Sequence, residues 1–265
     1  MLEAILAGLF GLILGSFLNV CIYRMPRDLS VARPSRSFCP ACEHTINWYD
    51  NVPVFSYAWL AGRCRHCRAE IPVRYPIVEL VTGLLFCAIF LWRGPTLEAV
   101  KLCLFSAIQV ALVAMDLEER ILADEFTKGG IVLGILFAAF VPLPGGILGL
   151  LLPRDWPDWT VSVLESAFSA AVLSFMLWFI GTLYQKLRNR EGLGFGDVKM
   201  VGMIGAFEGL GPALLTVVVG SVMGSVCGLL YVFFTKKDAS TYELPFGSFL
   251  GIAALLVAVW VRLVQ

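Results

Sequence analysis

Residues 213–234 read ALLTVVVGSVMGSVCGLLYVFF, a continuous run without a single charged side chain. A helix needs about 20 such residues to cross the hydrocarbon core of a bilayer. Similar runs recur along the 265-residue chain, which is 58% hydrophobic and only 15% charged, with a mean hydropathy of +0.81. A water-soluble fold of this size could not bury so much apolar surface, so the sequence predicts an integral membrane protein.

The apolar runs predict transmembrane helices. None of them alternates between apolar and polar residues with a period of two, as the strands of a membrane barrel would. The short run 200–207, between two polar turns, predicts a partial eighth span. The seven longer spans are predicted at residues 4–23, 77–92, 102–115, 131–152, 161–184, 213–234 and 246–261. The predicted fold is therefore an all-α polytopic membrane protein with about eight transmembrane helices.

The distribution of Lys and Arg predicts the orientation of these helices. With eight spans, sixteen of the twenty basic residues fall on one side of the membrane, and eight of them lie in the loop 24–76. Basic residues concentrate in cytoplasmic loops. We therefore expect the loop 24–76 in the cytoplasm and both termini in the periplasm.

The loop 24–76 contains two Cys-x-x-Cys pairs, at residues 39–42 and 64–67. Two such pairs can bring four thiolates to one tetrahedral Zn²⁺. A loop of about fifty residues builds little hydrophobic core, so a bound metal ion would stabilise its fold. Disulfides are disfavoured, because the cytoplasm is reducing. His44 and His66 are alternative ligands. The four predicted ligands are Cys39, Cys42, Cys64 and Cys67.

The zinc in this small cytoplasmic domain is expected to be structural, because four thiolates leave no open coordination position. The predicted domains are accordingly residues 1–23, a first transmembrane helix; residues 24–76, the zinc-binding domain; and residues 77–265, a membrane-embedded core.

Two aspartates stand where predicted helices meet the cytoplasmic interface, and acidic residues there are costly enough to merit inspection. Asp116 follows the third span, and Asp197 ends the tetrapeptide Gly-Phe-Gly-Asp. Two neighbouring carboxyls share one proton and titrate as a coupled pair, which permits peptide hydrolysis without a metal. Gly194 and Gly196 would allow a tight turn and the approach of a substrate backbone.

Other interpretations of these acidic residues stay open at this point. Interfacial loops carry acidic side chains simply because water is nearby, and a glycine-rich tetrapeptide is by itself a weak signal. Asp124 is a second candidate for the dyad, eight residues beyond Asp116.

These features together resemble the type IV prepilin peptidases, which are bifunctional leader peptidases and N-methyltransferases. The resemblance runs over nearly the whole chain, and further ordered motifs carry it besides the cysteine pairs and the two aspartate segments. They are GSFLNV at 15–20, YRMP at 23–26, WYDNVP at 48–53, RYPIVEL at 74–80 and PFG at 245–247.

The resemblance implies a function at the bacterial inner membrane. The enzyme would remove the leader peptide of prepilins or pseudopilins at the cytoplasmic face, with Asp116 and Asp197 as catalytic residues, and the family pattern favours Asp116 over Asp124. It would then methylate the new N-terminal amine with S-adenosylmethionine. The expected partners are these substrates and membrane lipid, with no nucleic acid.

The sequence departs from the family pattern at two positions. Ala123 stands where the family usually has proline in Leu-Pro-Asp, and Ser248 follows Gly247 where the family often has proline. Neither departure alters the proposed dyad, although the loss of the first proline would loosen the turn after Asp116.

The site of methyl transfer cannot be assigned from a motif, because the chain has no dinucleotide-type glycine fingerprint. Asp50, Asn51 and Glu79 are weak polar candidates for cofactor binding, and Glu79 equally suits a charge near a helix N-terminus. The alternatives to the bifunctional enzyme are a peptidase without methyltransferase activity and a non-enzymatic, zinc-bearing membrane scaffold of a secretion or pilus machine.

Overall fold

The computed structural model describes residues 1–34, 36–143, 146–153, 155–189, 192–235 and 244–264. Within these residues the regular structure is helical, with two isolated bridges and no strand. The helices are α1 (Leu2–Arg24), α2 (Phe55–Trp59), α3 (Arg74–Arg93), α4 (Leu97–Glu119), α5 (Asp124–Ala138), α6 (Ile147–Leu151), α7 (Asp158–Arg188), α8 (Phe195–Glu208), α9 (Leu210–Thr235) and α10 (Phe246–Val264). The predicted all-α class is confirmed.

Six of the described helices are long and apolar enough to cross a membrane, namely α1, α3, α4, α7, α9 and α10. The other two predicted spans correspond to the shorter helices α5, with 15 residues, and α8, with 14 residues. The predicted span 131–152 is not one helix, because α5 begins earlier and ends at Ala138, and α6 is separate. Pro142 lies between them and lacks the N–H that a continuing helix would need.

The chain divides into two compact units, Met1–Met115 and Asp116–Gln265. In the first unit, α1 and α3 pack with their backbones in contact. A Cβ placed on Gly15 would lie 2.7 Å from the Cα of Glu79, and one on Gly11 would lie 2.9 Å from the Cα of Gly83. Small residues permit such close approach of membrane helices. We call this contact between α1 and α3 the glycine seam.

The end of α1 is closed by a buried arginine. The guanidinium of Arg24 donates hydrogen bonds to the backbone carbonyls of Ser30, Val31, Pro34 and Arg36 at 2.9–3.2 Å. A buried charge is tolerated when its donors are satisfied in this way. The contact therefore fixes the first segment of the loop against the helix from which it emerges.

In the second unit α8 is the central helix. It packs against α5, α7, α9 and α10, and every residue from Met200 to Glu208 is buried. Gly134 of α5 faces Ala206 so closely that a Cβ would lie 2.8 Å from the alanine Cβ. The Ser166 hydroxyl of α7 donates to the carbonyl of Ala206 at 2.7 Å. This packing fixes the helix whose first turn contains Asp197.

Candidate active site

Asp116 lies in the last turn of α4, within the helix, whereas the predicted span ended one residue before it. Its side chain is buried, and one oxygen, Oδ2, accepts hydrogen bonds from Ser248 N–H at 2.6 Å and from Ser248 Oγ at 2.7 Å. A Cβ placed on Gly247 would lie 3.2 Å from the Asp116 Cγ. The first turn of α10 therefore binds this carboxyl group directly, at the positive end of a helix.

Asp197 lies in the first turn of α8, and its backbone N–H donates to the carbonyl of Gly194 at 3.1 Å. Neither Gly194 nor Gly196 has a positive φ, so the turn that leads into α8 does not need the left-handed freedom of glycine. Gly196 instead allows close packing, since a Cβ there would lie 3.1 Å from the Leu122 side chain.

The second unit brings the two predicted aspartates near each other, although 80 residues separate them in the sequence. The negative charge of Asp116 acts on Asp197, and the positive charge of Arg120 acts on Asp116. Two neighbouring carboxylates repel each other, and a close pair of carboxyl groups can share one proton. Such an arrangement can supply a base and an acid at once.

Asp124, the alternative dyad member, has a different environment. Its two oxygens accept from Lys199, on α8, and from Lys128, one turn along α5, the latter at 2.6 Å. Two ammonium groups neutralise this carboxylate, so it is part of an ion pair. The environment of Asp124 therefore differs from that of Asp116, whose hydrogen-bond donors belong to Ser248.

The two cysteine pairs form turns with the same backbone pattern, a similarity that the sequence analysis missed. The N–H groups of Cys39 and Cys64 each donate to the carbonyl five residues later, at 3.0 and 2.8 Å. Glu43 and Arg68, four residues after each cysteine, donate back to the cysteine carbonyl and have φ of 56° and 62°. Each turn thus presents two thiols on one side.

The four sulfur atoms of Cys39, Cys42, Cys64 and Cys67 lie within 4.8 Å of one another. Cys39 Sγ and Cys67 Sγ are 3.8 Å apart, and tetrahedral coordination with Zn–S bonds of about 2.3 Å gives S–S edges of about 3.8 Å. The cluster therefore fits one tetrahedral metal ion.

The two histidines do not belong to this cluster. The rings of His44 and His66 contact each other, with centroids 3.5 Å apart and planes tilted by 37°. Only the cysteine sulfurs converge among the described residues, so the prediction of a four-cysteine ligand set is favoured over one that includes histidine.

Two of the weak cofactor candidates already have protein partners. Asp50 accepts a bidentate hydrogen bond from Arg65, whose guanidinium lowers the pKa of that carboxyl. Glu79 is buried and accepts from the backbone N–H of Val54 at 2.7 Å, whereas Asn51 is exposed in a one-turn helix. Cofactor binding by these residues stays a prediction.

Two contacts in the second compact unit, Asp116–Gln265, were not predicted from the sequence. Sequence reasoning noted Ser248 only as a departure from a family pattern, and the signal that could have found it is its place in the first turn of the last span. Glu208 and Arg262 form a bidentate ion pair at 2.6 and 3.2 Å, with side-chain exposures of only 3% and 10%. Charged residues inside apolar spans are the signal for such a pair.

Together, the fold and the site define a multi-pass helical membrane protein with a four-cysteine cluster that could hold a metal ion and a pair of interacting aspartates. Residues 9–93 match the family model described as Bacterial Peptidase A24 N-terminal domain, and residues 103–230 match the Type IV leader peptidase family. The chain belongs to the type IV leader peptidase family.

Curated relatives match over nearly the full chain. A prepilin leader peptidase/N-methyltransferase of Pseudomonas putida is 32% identical, over 96% of this chain and 90% of the relative. The enzyme of the same name from Myxococcus xanthus is 38% identical, over 98% and 72%. A type 4 prepilin-like proteins leader peptide-processing enzyme of Escherichia coli is 33% identical, over 95% and 91%. No solved structure matches the chain.

Proposed function

We propose that this protein removes the leader peptide of type IV prepilins or pseudopilins with Asp116 and Asp197 as a catalytic dyad, and then methylates the new N-terminal amine. The observation that carries the proposal is the interaction of these two carboxyls at the ends of α4 and α8 within one compact unit. The names of the relatives support the two activities.

In this mechanism one aspartate is ionised and takes a proton from a water molecule as its oxygen attacks the scissile carbonyl. The other is protonated and donates to the carbonyl oxygen. Collapse of the tetrahedral intermediate breaks the C–N bond, the leaving amine receives a proton, and the dyad regains its single shared proton. The burial of Asp116 strengthens these interactions, because bulk water does not screen them.

The protein sits in the inner membrane as a multi-pass protein, and we place the loop 24–76 and the dyad on the cytoplasmic side, as the distribution of Lys and Arg favours. The four cysteines would hold a structural zinc ion. S-adenosylmethionine, when bound, supplies the methyl group for the amine that the cleavage exposes. The order of the two steps follows from this chemistry, since the acceptor amine exists only after hydrolysis.

The experiment is cleavage of a prepilin by purified protein in liposomes, with Asp116→Asn and Asp197→Asn compared with the native chain. General acid–base groups contribute about 10²–10⁴ in rate, so either substitution should abolish measurable cleavage. Asp158→Asn, at the exposed start of α7, is the matched control and should retain activity. Processing by either dyad variant at the native rate would remove that residue from the mechanism.

Mass spectrometry of the cleaved product tests the second activity. A product one CH₂ heavier at its N-terminus supports methyl transfer. An unmodified product in the presence of S-adenosylmethionine identifies a peptidase alone. A non-enzymatic scaffold would instead show no cleavage by the purified native protein, with the cysteines needed and the aspartates dispensable for assembly of the machine.

A further inference from the structure

The hydrogen bonds between α10 and the dyad are concentrated on a single oxygen atom. Both donors of Ser248, its backbone N–H and its hydroxyl, reach Oδ2 of Asp116, at 2.6 and 2.7 Å. Ser248 is 2% exposed and Asp116 is 6% exposed. Hydrogen bonds to a carboxylate are stronger than those between neutral groups, and exclusion of water strengthens them further.

The two aspartates receive unequal numbers of donors. Asp116 accepts two hydrogen bonds from Ser248, whereas Asp197 interacts with one backbone donor, that of Gly194, among the described residues. Hydrogen bonds donated to a carboxyl group favour its charged form. In a pair that shares one proton, the carboxyl group that accepts more hydrogen bonds is therefore the ionised one.

We propose that Ser248 is a positioning residue that makes Asp116 the ionised member of the dyad, so that Asp116 activates the water and Asp197 carries the shared proton. The inference rests on the proposed function, because it assigns roles within that dyad. Ser248 also fixes the orientation of the Asp116 side chain, since both bonds to Oδ2 leave Oδ1 as the oxygen available to the water.

The charged groups around the pair are the same in the native chain and in any Ser248 variant. Arg120 acts on Asp116 from its own helix, and Asp197 faces it from α8. On the neighbouring helix α5, Asp124 is paired with Lys199 of α8. Helix α10 itself has no charged residue before Arg262. A change in the pH dependence of cleavage on substitution of Ser248 would therefore report the lost donors.

The test uses three substitutions of one residue in the full-length protein. Ser248→Ala removes the hydroxyl donor, and Ser248→Pro removes both donors. Proline is tolerated in the first turn of a helix, where its missing N–H is not needed by the helix. Ser248→Thr keeps both donors. Ser166→Ala is the matched control, because it also removes a buried hydroxyl hydrogen bond in the same unit, to the carbonyl of Ala206.

The measurement is kcat/KM for prepilin cleavage as a function of pH. The acidic limb of the profile marks protonation of the ionised aspartate. Loss of a donor makes that protonation easier, so the limb should move to higher pH, by about 1 unit for Ser248→Ala and further for Ser248→Pro. Ser248→Thr and Ser166→Ala should show the acidic limb at the same pH as the native protein, even if less of each variant is recovered.

Unshifted limbs in both Ser248→Ala and Ser248→Pro, with Asp116→Asn and Asp197→Asn inactive, would overturn this inference and leave the proposed function standing. Full activity of an aspartate variant would overturn both. If Ser248→Pro does not accumulate in the membrane, the profile of Ser248→Ala decides alone.

Discussion

Lys199 forms an ion pair with Asp124, and this contact joins the N-terminal part of α8 to the first residue of α5. Lys199 follows Asp197 by two residues, and its side chain is 18% exposed. The ion pair therefore holds the short segment of α8 that contains one of the two proposed catalytic carboxyls. Asp124, which sequence reasoning weighed as a catalytic residue, is better explained as the partner of this lysine.

Replacing Lys199 should lower turnover without unfolding the protein. In Lys199→Met the N-terminal part of α8 loses its ionic partner, and a displacement of a catalytic group by about 1 Å can cost about 10²-fold in rate. We expect kcat for prepilin cleavage to fall by about 10- to 100-fold. The control is Lys128→Met, which removes an exposed pair with the same carboxylate. Such surface pairs contribute little, so its kcat should stay near native, and equal losses in both variants would contradict this role of Lys199.

The buried pair of Glu208 and Arg262 should be essential for stability as a pair. Arg262→Met leaves the Glu208 carboxylate uncompensated in the interior, which costs about 3–5 kcal/mol in the free energy of unfolding. The double variant Glu208→Met with Arg262→Met should recover much of this loss, because no unpaired charge remains. Thermal unfolding in mild detergent measures both. If the double variant is as unstable as Arg262→Met, the loss in the free energy of unfolding comes from packing and not from the unpaired Glu208 carboxylate.

The four-cysteine cluster should bind one zinc ion per chain, measurable by elemental analysis of protein purified without chelators. Cys42→Ser or Cys67→Ser should lose the metal and leave the loop 24–76 sensitive to protease, since a loop of this size has little core of its own. The control is Cys227→Ser on α9, an exposed cysteine outside the cluster, which should keep its zinc. A metal-free native protein with a protease-resistant loop would contradict the assignment.

The glycine seam should not tolerate a larger residue. Gly15→Ala adds a Cβ 2.7 Å from the backbone of Glu79, and overpacking of this kind costs about 1–3 kcal/mol. The matched control is Gly129→Ala in α5, where nothing lies within 4 Å of the added Cβ. Unfolding of both variants in detergent should show a lower melting temperature for the first alone. Equal melting temperatures would mean that α1 and α3 are less tightly packed than described.

The sequence was most informative where a property depends on nearby residues. The length of an apolar run predicts a spanning helix, and the Cys-x-x-Cys spacing predicts a ligand set, because both are local. The start of α5 at Asp124 was missed, since its charged first turn resembles a loop until Lys199 and Lys128 supply counter-charges.

Contacts between distant helices could not be predicted in the same way. Ser248 lies 132 residues from Asp116, and Arg262 lies 54 residues from Glu208. These pairs depend on the rotational and axial register of packed helices, which the apolar pattern of each helix alone does not determine.

The glycine seam bears on the tolerance of the loop 24–76 to changes in length. Because α1 and α3 touch backbone to backbone and Arg24 closes the end of α1, the two ends of the intervening loop are held in fixed positions. Doubling the length of a flexible loop between fixed ends costs only about 0.6 kcal/mol in closure entropy. Added residues in the exposed part of this loop would therefore cost little free energy, provided that the contacts of Arg24 and the cysteine cluster are kept.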